Sequence, residues 1–454
     1  MRKIYLIFFS ICLIAIVFLL TNYVYKIKKI NRNYDERYNT ESLVALRKFP
    51  FPYRAALTIC SDIDNTETLE EYIEIQKFLN TRNFTNMGKG LGLDIGNSFF
   101  FYEPPADAIS YFQGGLDVAD NFIRLIKAGY IDTMHSYGKK SDFTRKDAIV
   151  SLQELKHHNC KINVWVDHTK SSDNFGDDGT FGFGDHLGSK EYHADLTIAY
   201  GVKYAWLGKV TMITGQSVPI NLKNFTEIYD SDHPIDSVIN IGKEFAKHFV
   251  SILGSKKYAM RKDNDLVKIT KLDDGQLIYE FIRFDNYWEG VGEGANSKGL
   301  AYAISNKTLN RLKEVRGYMI VYTHFGINSN CAKNICEETQ DALRNLAKEF
   351  EKGNIYITTT SKLLRYYIIH KYLDWSYEDK GGRLRINIHK VKDPVFGSFV
   401  PSVQDLEGIT FFVPHESKPI IYLGNKRIKH IRKNNADNTE KQSVTISKKE
   451  GTVR

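Results

Sequence analysis

Cysteine is scarce in this chain, and the few residues present give no sign of a disulfide framework. Five cysteines are spread over 454 residues, and Cys12 lies inside the first long apolar run. Cys331 and Cys336 are spaced unlike a pair of zinc ligands, so they are given no role. The chain also shows no internal repeat. Its ordinary apolar and aromatic content is enough for one large domain and a smaller one.

The sequence also lacks a nucleic-acid-binding motif, although its formal net charge is +8. Part of this charge is concentrated near the C-terminus, in the segment Lys426 to Lys433 and at Lys448 and Lys449. Such a segment is more typical of a solvated tail, or of attraction to an anionic surface, than of nucleic-acid recognition. We therefore expect no nucleic-acid partner.

Charge is absent from residues 4–25, a run long enough to cross ~30 Å of hydrocarbon as a helix. No small-residue cleavage site follows it, so the run predicts an uncleaved anchor and not a removed signal peptide. We expect residues 1–25 to form a single-pass membrane anchor and residues 26–50 to form a linker. The positive charges on its two flanks leave the orientation open.

Beyond the linker, short apolar runs alternate with amphipathic stretches, a pattern typical of an α/β fold. The predicted strands are Ala55 to Cys60, Ile162 to Val166, Thr197 to Ala199, Tyr204 to Leu207, Tyr318 to Tyr322 and Ile355 to Thr359. The predicted helices are Leu69 to Leu79, Leu116 to Ala128, Arg145 to His157, Pro234 to Leu253, Lys307 to Val315 and Glu337 to Lys352. Residues 373–431 form short alternating runs that predict a small β module. Residues 432–454 have too little apolar content to fold, and we expect them to be disordered.

The most informative motif is Asp62-Ile63-Asp64, which follows a short apolar run directly. Successive side chains of a strand point to opposite faces, so Asp62 and Asp64 share a face and can converge on one cation or water molecule. Two carboxylates so close repel each other unless a metal, a cation or a proton lies between them. A turn that caps the following helix, through Asn65 and Thr66, is the structural alternative.

Three further apolar runs end in histidine. His135 follows Ile131-Asp-Thr-Met, His168 closes Ile162-Asn-Val-Trp-Val-Asp, and His324 closes Tyr318-Met-Ile-Val-Tyr-Thr. In barrels of parallel strands the carboxyl ends of the strands form one rim, so these histidines can meet Asp62 and Asp64 there. One such histidine alone is more often a structural hydrogen bonder than a ligand, but the repeated placement favours a site.

Residues 51 to 370 resemble the polysaccharide deacetylase family, the NodB-homology domain of carbohydrate esterase family 4 and its divergent relatives. The resemblance is carried by Leu57-Thr-Ile-Cys-Ser-Asp62-Ile-Asp64, by His135-Ser-Tyr-Gly138, by Val164-Trp-Val-Asp167-His168 and by Val321-Tyr-Thr-His324-Phe-Gly. It implies a distorted (β/α) barrel of the glycoside hydrolase/deacetylase type over residues 51–372. It also implies metal-dependent removal of acetyl groups from a surface or cell-wall polysaccharide, by a domain outside the cytoplasm.

The resemblance implies a role for each candidate residue. Asp64 and His135 would hold a divalent metal, with zinc the first expectation, and the second imidazole would come from His168 or His193. Asp62 would be the base and His324 the acid that protonates the leaving group. Asp167 would orient His324 or His168. The aromatic residues expected to contact sugar are Trp165, Trp206, Trp288 and Tyr137.

The sequence departs from the family pattern at two positions. Ile63 separates aspartates that are adjacent in typical members, and Lys139 stands where a second metal-binding histidine is expected. A glycan-binding barrel without catalytic activity therefore stays open as an alternative function.

A phosphatase of the haloacid dehalogenase type is the second alternative. Asp62-Ile-Asp64-Asn-Thr66 fits its motif, with Asp62 as the nucleophile and Asp64 as the acid/base. The acidic pair that such an enzyme needs would be Asp177-Asp178, but no strand precedes it. A glycosyltransferase is less consistent with the sequence, because only a linker separates the aspartate pair from the predicted anchor.

Overall fold

The computed structural model describes residues 21–31, 42–168, 171–176, 180–327, 331, 335–381, 383–415, 417–437 and 441–447. The strands are β1 (Ala45–Arg47), β2 (Ala55–Asp62), β3 (Phe84–Thr85), β4 (Gly88–Lys89), β5 (Asn97–Phe99), β6 (Ile131–His135), β7 (Val164–Val166), β8 (Tyr204–Trp206), β9 (Val210–Thr211), β10 (Val267–Lys271), β11 (Leu277–Phe281), β12 (Arg283–Phe284), β13 (Tyr318–His324), β14 (Ile355–Ile357), β15 (Leu373–Lys380), β16 (Arg383–Val391), β17 (Thr410–Val413), β18 (Ile420–Leu423), β19 (Lys426–Arg427), β20 (Ile431–Asn434) and β21 (Gln442–Ile446). The helices are α1 (residues 21–31), α2 (Leu69–Asn80), α3 (Leu116–Ala128), α4 (Arg145–His157), α5 (Ala194–Tyr200), α6 (Leu222–Thr226), α7 (Pro234–Ile252), α8 (Ser297–Ala303), α9 (Asn306–Val315), α10 (Glu337–Glu351) and α11 (Thr360–Tyr372), with a 3-10 turn at Ala259–Arg261.

An eleven-stranded sheet forms the body, in the order β10-β11-β8-β7-β6-β5-β2-β13-β12-β9, with β14 also paired to β2. Every residue of β2 is buried. Its side chains alternate between two apolar clusters, because successive residues of a strand face opposite sides. Ala55, Leu57 and Ile59 pack in one cluster, and Ala56 and Cys60 pack in the other. Strand β2 therefore has apolar side chains packed on both of its faces.

The sheet curls back on itself. Strands β8 and β13 are five strand positions apart in the sheet order, which corresponds to about 24 Å in a flat sheet. Their side chains nevertheless meet, since the rings of Trp206 and Tyr322 lie 5.3 Å apart. Strand β9 follows β8 after a short turn and pairs with β12, so the far end of the sheet returns beside β8. The fold is therefore mixed α/β with a half-barrel sheet.

Most predicted elements agree closely with the structure, and one prediction is wrong. The predicted strand at Thr197 to Ala199 is the middle of helix α5, which buries Ala194 and Thr197 on one side and ends at Gly201. An apolar run of three residues has no readable period, so the sequence does not distinguish a strand from a single helical turn there. Helix α3 matches its prediction fully, and Gly129 ends it in the left-handed conformation with φ of 80°.

The C-terminal β module is larger than the sequence predicted. One of its sheets has the order β15-β16-β18-β19, and the other has the order β1-β17-β21-β20. Strand β1 comes from the predicted linker, and β20 and β21 lie partly or wholly in the predicted disordered tail. The tail prediction is therefore corrected for residues 432–437 and 441–447. Its mean composition concealed a short alternating run, whose Val444 and Ile446 are buried against Phe411.

The structure corrects the predicted membrane localisation. In the part of the chain that the structure describes, no helix combines the length and the apolar character needed to cross a bilayer. Most of the apolar run, residues 4–20, lies outside the described residues. The described part, helix α1, packs on α7: the ring of Tyr23 lies 5.3 Å from that of Phe249, and Lys26 Nζ donates to the carbonyl of Ile252. The single-pass anchor is not retained, and neither is the extracytoplasmic placement that the family resemblance implied.

Cys331 and Cys336 also differ from the expectation. They form a disulfide bond in the segment between β13 and α10. The Cys331–Cys336 bond was not predicted, because a single disulfide between near neighbours in sequence has no characteristic cysteine spacing.

Strand β21 allows a direct test of the enlarged module. Ile446→Ala removes a fully buried side chain, so we expect the free energy of unfolding to fall by about 2 to 5 kcal/mol. Urea unfolding followed by circular dichroism measures this change. Asn435→Ala, at an exposed position nearby, is the matched control. Equal stability of the two variants would mean that the tail is not folded onto the module.

Candidate active site

The residues that the sequence singled out at strand ends meet at one edge of the curled sheet. Strands β2 and β13 are parallel neighbours, and their register places His324 directly beside Asp62. Strand β6 ends at His135 and pairs in parallel with β7, whose last residue, Val166, comes two residues before His168. Because these strands run in the same direction, their carboxyl ends lie on the same side of the sheet.

Asp64 and two imidazoles form the tightest group. His168 Nε2 lies 2.8 Å from Asp64 Oδ1, and His135 Nε2 lies 3.1 Å from Asp64 Oδ2. His135 is almost fully buried, while the Asp64 side chain is 18% exposed. The partly exposed Asp64 carboxylate therefore faces two imidazole nitrogens, one at each of its oxygens.

The hydrogen bonds of His135 orient its ring for ligand binding. Its Nδ1 lies 3.2 Å from the carbonyl oxygen of Val166. A carbonyl only accepts, so Nδ1 carries a proton, and Nε2 is the nitrogen that can bind a cation once its own proton is lost. Phe100 stacks on the same ring at 4.9 Å. His168 is held through its backbone N–H, which donates to Asn174 Oδ1, while its Nδ1 has no hydrogen-bond partner among the described residues.

The donor set fits a divalent cation. The three potential ligand atoms of Asp64, His135 and His168 lie within 4.8 Å of one another. Ligands at zinc distances in a tetrahedral site stand about 3.3 Å apart, and the two imidazole nitrogens lie 2.8 and 3.1 Å from different oxygens of Asp64. Two imidazoles and one carboxylate also suit zinc and similar transition metals. Among the alternatives that the sequence left open, His168 supplies the second imidazole.

Asp62 has a different environment, because Arg283 binds both of its oxygens. Arg283 Nη1 lies 2.7 Å from Oδ2, and Nη2 lies 2.9 Å from Oδ1. Both side chains are almost completely buried. The guanidinium lies 4.1 Å from the ring centroid of Trp206 and 4.8 Å from that of Tyr322. Two aromatic rings and a bidentate ion pair thus fix the position of the Asp62 carboxylate.

Sequence reasoning missed Arg283. The available signal was a single charge within the apolar run Phe281-Ile-Arg283-Phe284, since an arginine there must find a partner if the run is a buried strand. The sequence could not name that partner, because 221 positions separate Arg283 from Asp62.

His324 faces both carboxylates. Its Nε2 lies 3.9 Å from Asp62 Oδ2 and 3.7 Å from Asp64 Oδ2. Its Nδ1 donates to the carbonyl of Ala295 at 2.5 Å. This bond fixes the tautomer and directs Nε2 toward the space between the carboxylates.

The charges of the site shift several pKa values. Burial opposes ionisation of Asp62, but Arg283 outweighs it and holds the pKa of Asp62 below its usual value. For Asp64, burial is likewise outweighed by His135 and His168, so its pKa lies well below the usual range. Burial would lower the pKa of His135, yet Asp62 and Asp64 raise it to about 9. Without a metal, His135 is therefore protonated at neutral pH.

His193 lies outside this site, although the sequence offered it as a metal ligand. Its Nδ1 bonds Thr197 Oγ1 at 2.9 Å, and its Nε2 bonds the carbonyl of Asp173 at 2.7 Å. Burial lowers the pKa of His193 to about 4. Both nitrogens are thus used in the hydrogen bonds that fasten α5 to the preceding loop.

Asp167 points away from the histidines that it was expected to orient. Its carboxylate accepts hydrogen bonds from Trp165 Nε1, the Phe175 N–H and Thr180 Oγ1. Burial raises the pKa of Asp167 to about 6. It therefore organises the loop after β7.

The predicted sugar-binding aromatic residues have different positions. Trp165 and Tyr137 are fully buried and pack on each other, so neither offers a ring to a sugar. Trp206 is almost buried and covers Arg283. The ring of Trp288 stacks on His233 at 3.9 Å.

Lys139 occupies the place where a second metal-binding histidine was expected. Its Nζ lies 3.5 Å from Glu103 Oε1 and 3.6 Å from Asp107 Oδ2. The Lys139 N–H also donates to Glu103 Oε2. The lysine therefore neutralises a buried glutamate close to the site and is not a substitute ligand.

A third group of potential ligands, Asp185, His186 and Asp273, lies apart from the cluster. It lines a cavity of about 810 Å³. None of Asp62, Asp64, His135, His168 and His324 lines that cavity. The site at the strand ends is the better candidate centre, because it combines buried charge with oriented imidazoles.

Comparison of the chain with protein-family models, with curated proteins and with solved structures finds no significant match.

Metal affinity should depend on pH with a defined sign. The proton on His135 Nε2 competes with a metal, and the pKa of this imidazole is about 9. We expect cobalt(II) affinity to rise by up to about tenfold for each pH unit below that value and then to level off. Titration followed by cobalt absorption, in buffers on either side of the pKa, measures this. An affinity independent of pH would contradict the assignment of His135 as a ligand.

The Asp62–Arg283 pair should be necessary for stability. Arg283→Met leaves a buried carboxylate without its partner, so we expect the free energy of unfolding to fall by about 3 to 5 kcal/mol. Adding Asp62→Asn should restore part of the loss, and urea unfolding of both variants measures it. Lys362→Met is the matched control, because Lys362 pairs with Asp94 at 2.8 Å while half exposed, and its loss should change stability by no more than about 1 kcal/mol. A small effect of Arg283→Met alone would contradict the buried pair.

Proposed function

We propose that this protein is a metal-dependent hydrolase that removes acetyl groups from a polysaccharide. The proposal is supported by one observation above all: a ligand set of Asp64, His135 and His168 stands beside an acid–base pair formed by Asp62 and His324. The resemblance of the strand-end motifs to polysaccharide deacetylases supports the same reaction class.

A divalent cation held by Asp64, His135 and His168 would polarise the acetyl carbonyl and make a water molecule more acidic. The protein residues divide the remaining work. Asp62 stays ionised because Arg283 lowers its pKa, and its Oδ2 is the oxygen nearest both His135 and His324. This oxygen accepts the proton of the attacking water.

His324 completes the reaction. Its Nδ1–H is committed to the Ala295 carbonyl, so only Nε2 can transfer a proton at the site. From Nε2 a proton passes to the leaving nitrogen or oxygen of the sugar while its bond to the acetyl carbon breaks. The products are acetate and a free amine or hydroxyl. The proton taken by Asp62 balances the one that His324 gives.

The phosphatase alternative receives less support from this geometry. A mechanism with Asp62 as the nucleophile leaves His135, His168 and His324 without a role, although all three imidazoles face the carboxylates. The acidic pair Asp177-Asp178 lies outside the described residues. A glycan-binding barrel without activity would have the same fold, and the measurement of acetate release distinguishes it from a hydrolase.

The test is acetate release from chitohexaose and from acetylated xylan by the purified chain, after metal removal and after reloading with zinc or cobalt. We expect activity only in the loaded protein. Asp64→Ala and His168→Ala should lose the metal, and His324→Ala should keep it while kcat falls by about 10² to 10⁴. His193→Ala is the matched control, because it removes an equally buried imidazole outside the cluster and should leave metal content unchanged.

Three outcomes would overturn the proposal. Bound metal and retained glycan binding without acetate release would make the protein a glycan-binding barrel. Magnesium-dependent phosphate release that requires Asp62 but not His135 would make it a phosphatase. Loss of metal in His193→Ala, with none in His168→Ala, would move the ligand set away from the cluster described above.

A further inference from the structure

The cavity lined by Asp185, His186 and Asp273 is an open groove, and none of the residues assigned to the proposed reaction lines it. It has a volume of about 810 Å³, within the range of pockets that bind small ligands. Its walls are the loop around residues 180–186, the outer strand β10 and the segment that follows α7. The groove is thus large enough for more than one sugar unit of a polymer.

Positive charge dominates this groove. Among its described lining residues are six lysines and three acidic residues, Asp185, Asp273 and Glu280. The lysines are Lys209, Lys256, Lys257, Lys262, Lys268 and Lys271. Two of the acidic residues have partners of their own: Asp273 lies 3.0 Å from His186 Nε2, and Glu280 accepts from Thr270 at 2.6 Å. Lysines therefore outnumber acidic side chains by two to one among the described residues of the groove.

Five of these six lysines form no ion pair within the described part of the chain. Lysines on protein surfaces commonly pair with a nearby carboxylate, as Lys223 does with Glu314 at 2.6 Å. In the described ranges, no ion pair joins an acidic group to Lys256, Lys257, Lys262, Lys268 or Lys271. Like charges gathered in a concave surface raise the local potential and attract an anion.

Two aromatic side chains supply an apolar surface in the same groove. Phe181 is 57% exposed and Phe183 is 37% exposed. Their rings meet edge to face at 4.9 Å. Exposed aromatic rings next to cationic groups suit a ligand with both apolar C–H faces and negative charge. An acidic sugar has both.

The groove shares its walls with the candidate active site. Thr180, on the groove side, donates to Asp167, which directly precedes the ligand His168. On the other side, Trp206 covers Arg283, and its Nε1 donates to the carbonyl of Lys209 in the groove wall. A chain bound in the groove is therefore adjacent to the loops that carry the reacting groups.

We propose that this groove binds a segment of an anionic polysaccharide, such as a polyuronate, and presents the neighbouring sugar to the Asp62–His324 centre. The substrate class rests on the proposed deacetylase function, whereas binding of the anionic chain rests on the groove alone. A polynucleotide is less well matched, because single-stranded nucleic acids use a series of separate aromatic platforms, and the two rings here pack against each other.

The test is isothermal titration of the full chain carrying Asp64→Ala, which prevents turnover. The probes are hexagalacturonate, neutral chitohexaose and a thymidine dodecanucleotide. We expect hexagalacturonate to bind more tightly than the other two. The combined variant Lys256→Gln, Lys257→Gln and Lys271→Gln should weaken uronate binding by about tenfold or more. It should leave chitohexaose binding unchanged.

A matched control removes the same charge elsewhere. Lys127→Gln, Lys146→Gln and Lys161→Gln change three exposed lysines outside the groove, and uronate affinity should stay within about twofold of the parent protein. Equal loss in both triple variants, or no uronate binding in the millimolar range, would overturn the proposal. Equal or tighter binding of the dodecanucleotide, lost with the groove lysines, would assign the groove to nucleic acid.

The two proposals fail separately. Uronate binding is measured in a variant without turnover, so its absence would leave the acetate-release assay unaffected. Conversely, a protein that releases no acetate but binds hexagalacturonate through the groove lysines would be an anionic-glycan binder. Deacetylation of neutral chitohexaose at the same rate as of an acetylated polyuronate would remove the substrate class from the proposal.

Discussion

The carboxylates of Asp62 and Asp64 are separated by one residue and are largely buried. Their mutual repulsion must therefore be offset by nearby positive charge or hydrogen bonds. Two different solutions are present. Arg283 binds both oxygens of Asp62 inside the curled sheet, while Asp64 receives hydrogen bonds from two imidazoles. The partners of both aspartates come from strands that are far apart in sequence. The neutralisation of Asp62 and Asp64 therefore depends on the curling of the sheet, which brings those strands together.

This difference assigns the two aspartates different chemistry. A guanidinium does not lose its proton, so Asp62 stays ionised and fixed in position. An imidazolium does lose its proton, and the partner of Asp64 can therefore be exchanged for a metal when His135 is deprotonated. One aspartate is thus suited to accept protons, and the other to bind a cation. Asp62 is the last residue of β2, and Asp64 follows two residues later in the turn, so both roles stay at the carboxyl end of one strand.

The sequence predicted those parts of the fold and the site that depend on local pattern. Apolar periodicity predicted strand β2 and helix α3. The abrupt end of an apolar run predicted that His135 and His324 lie at strand ends. Arg283 could not be placed, because its partner is set by how far the sheet curls. His193 was wrongly grouped with the ligands, since a histidine that caps a helix and one that faces a rim look alike in sequence. The strands of the tail were not predicted, because the mean composition of a long polar segment does not reveal a short alternating run such as the one in β21.

The energetics of the cluster argue against a purely structural role. A buried ion pair is often no more stabilising than apolar residues of the same volume, and replacing one can increase stability by about 1 to 4 kcal/mol. Here a buried pair, two imidazoles on one carboxylate and a third imidazole facing both aspartates are grouped together. A fold that served only as a scaffold would be more stable if apolar side chains replaced these charged and imidazole groups. The arrangement is understandable if the charges do chemistry, and the lysine-lined groove beside it then supplies the binding energy that places a polymer for that chemistry.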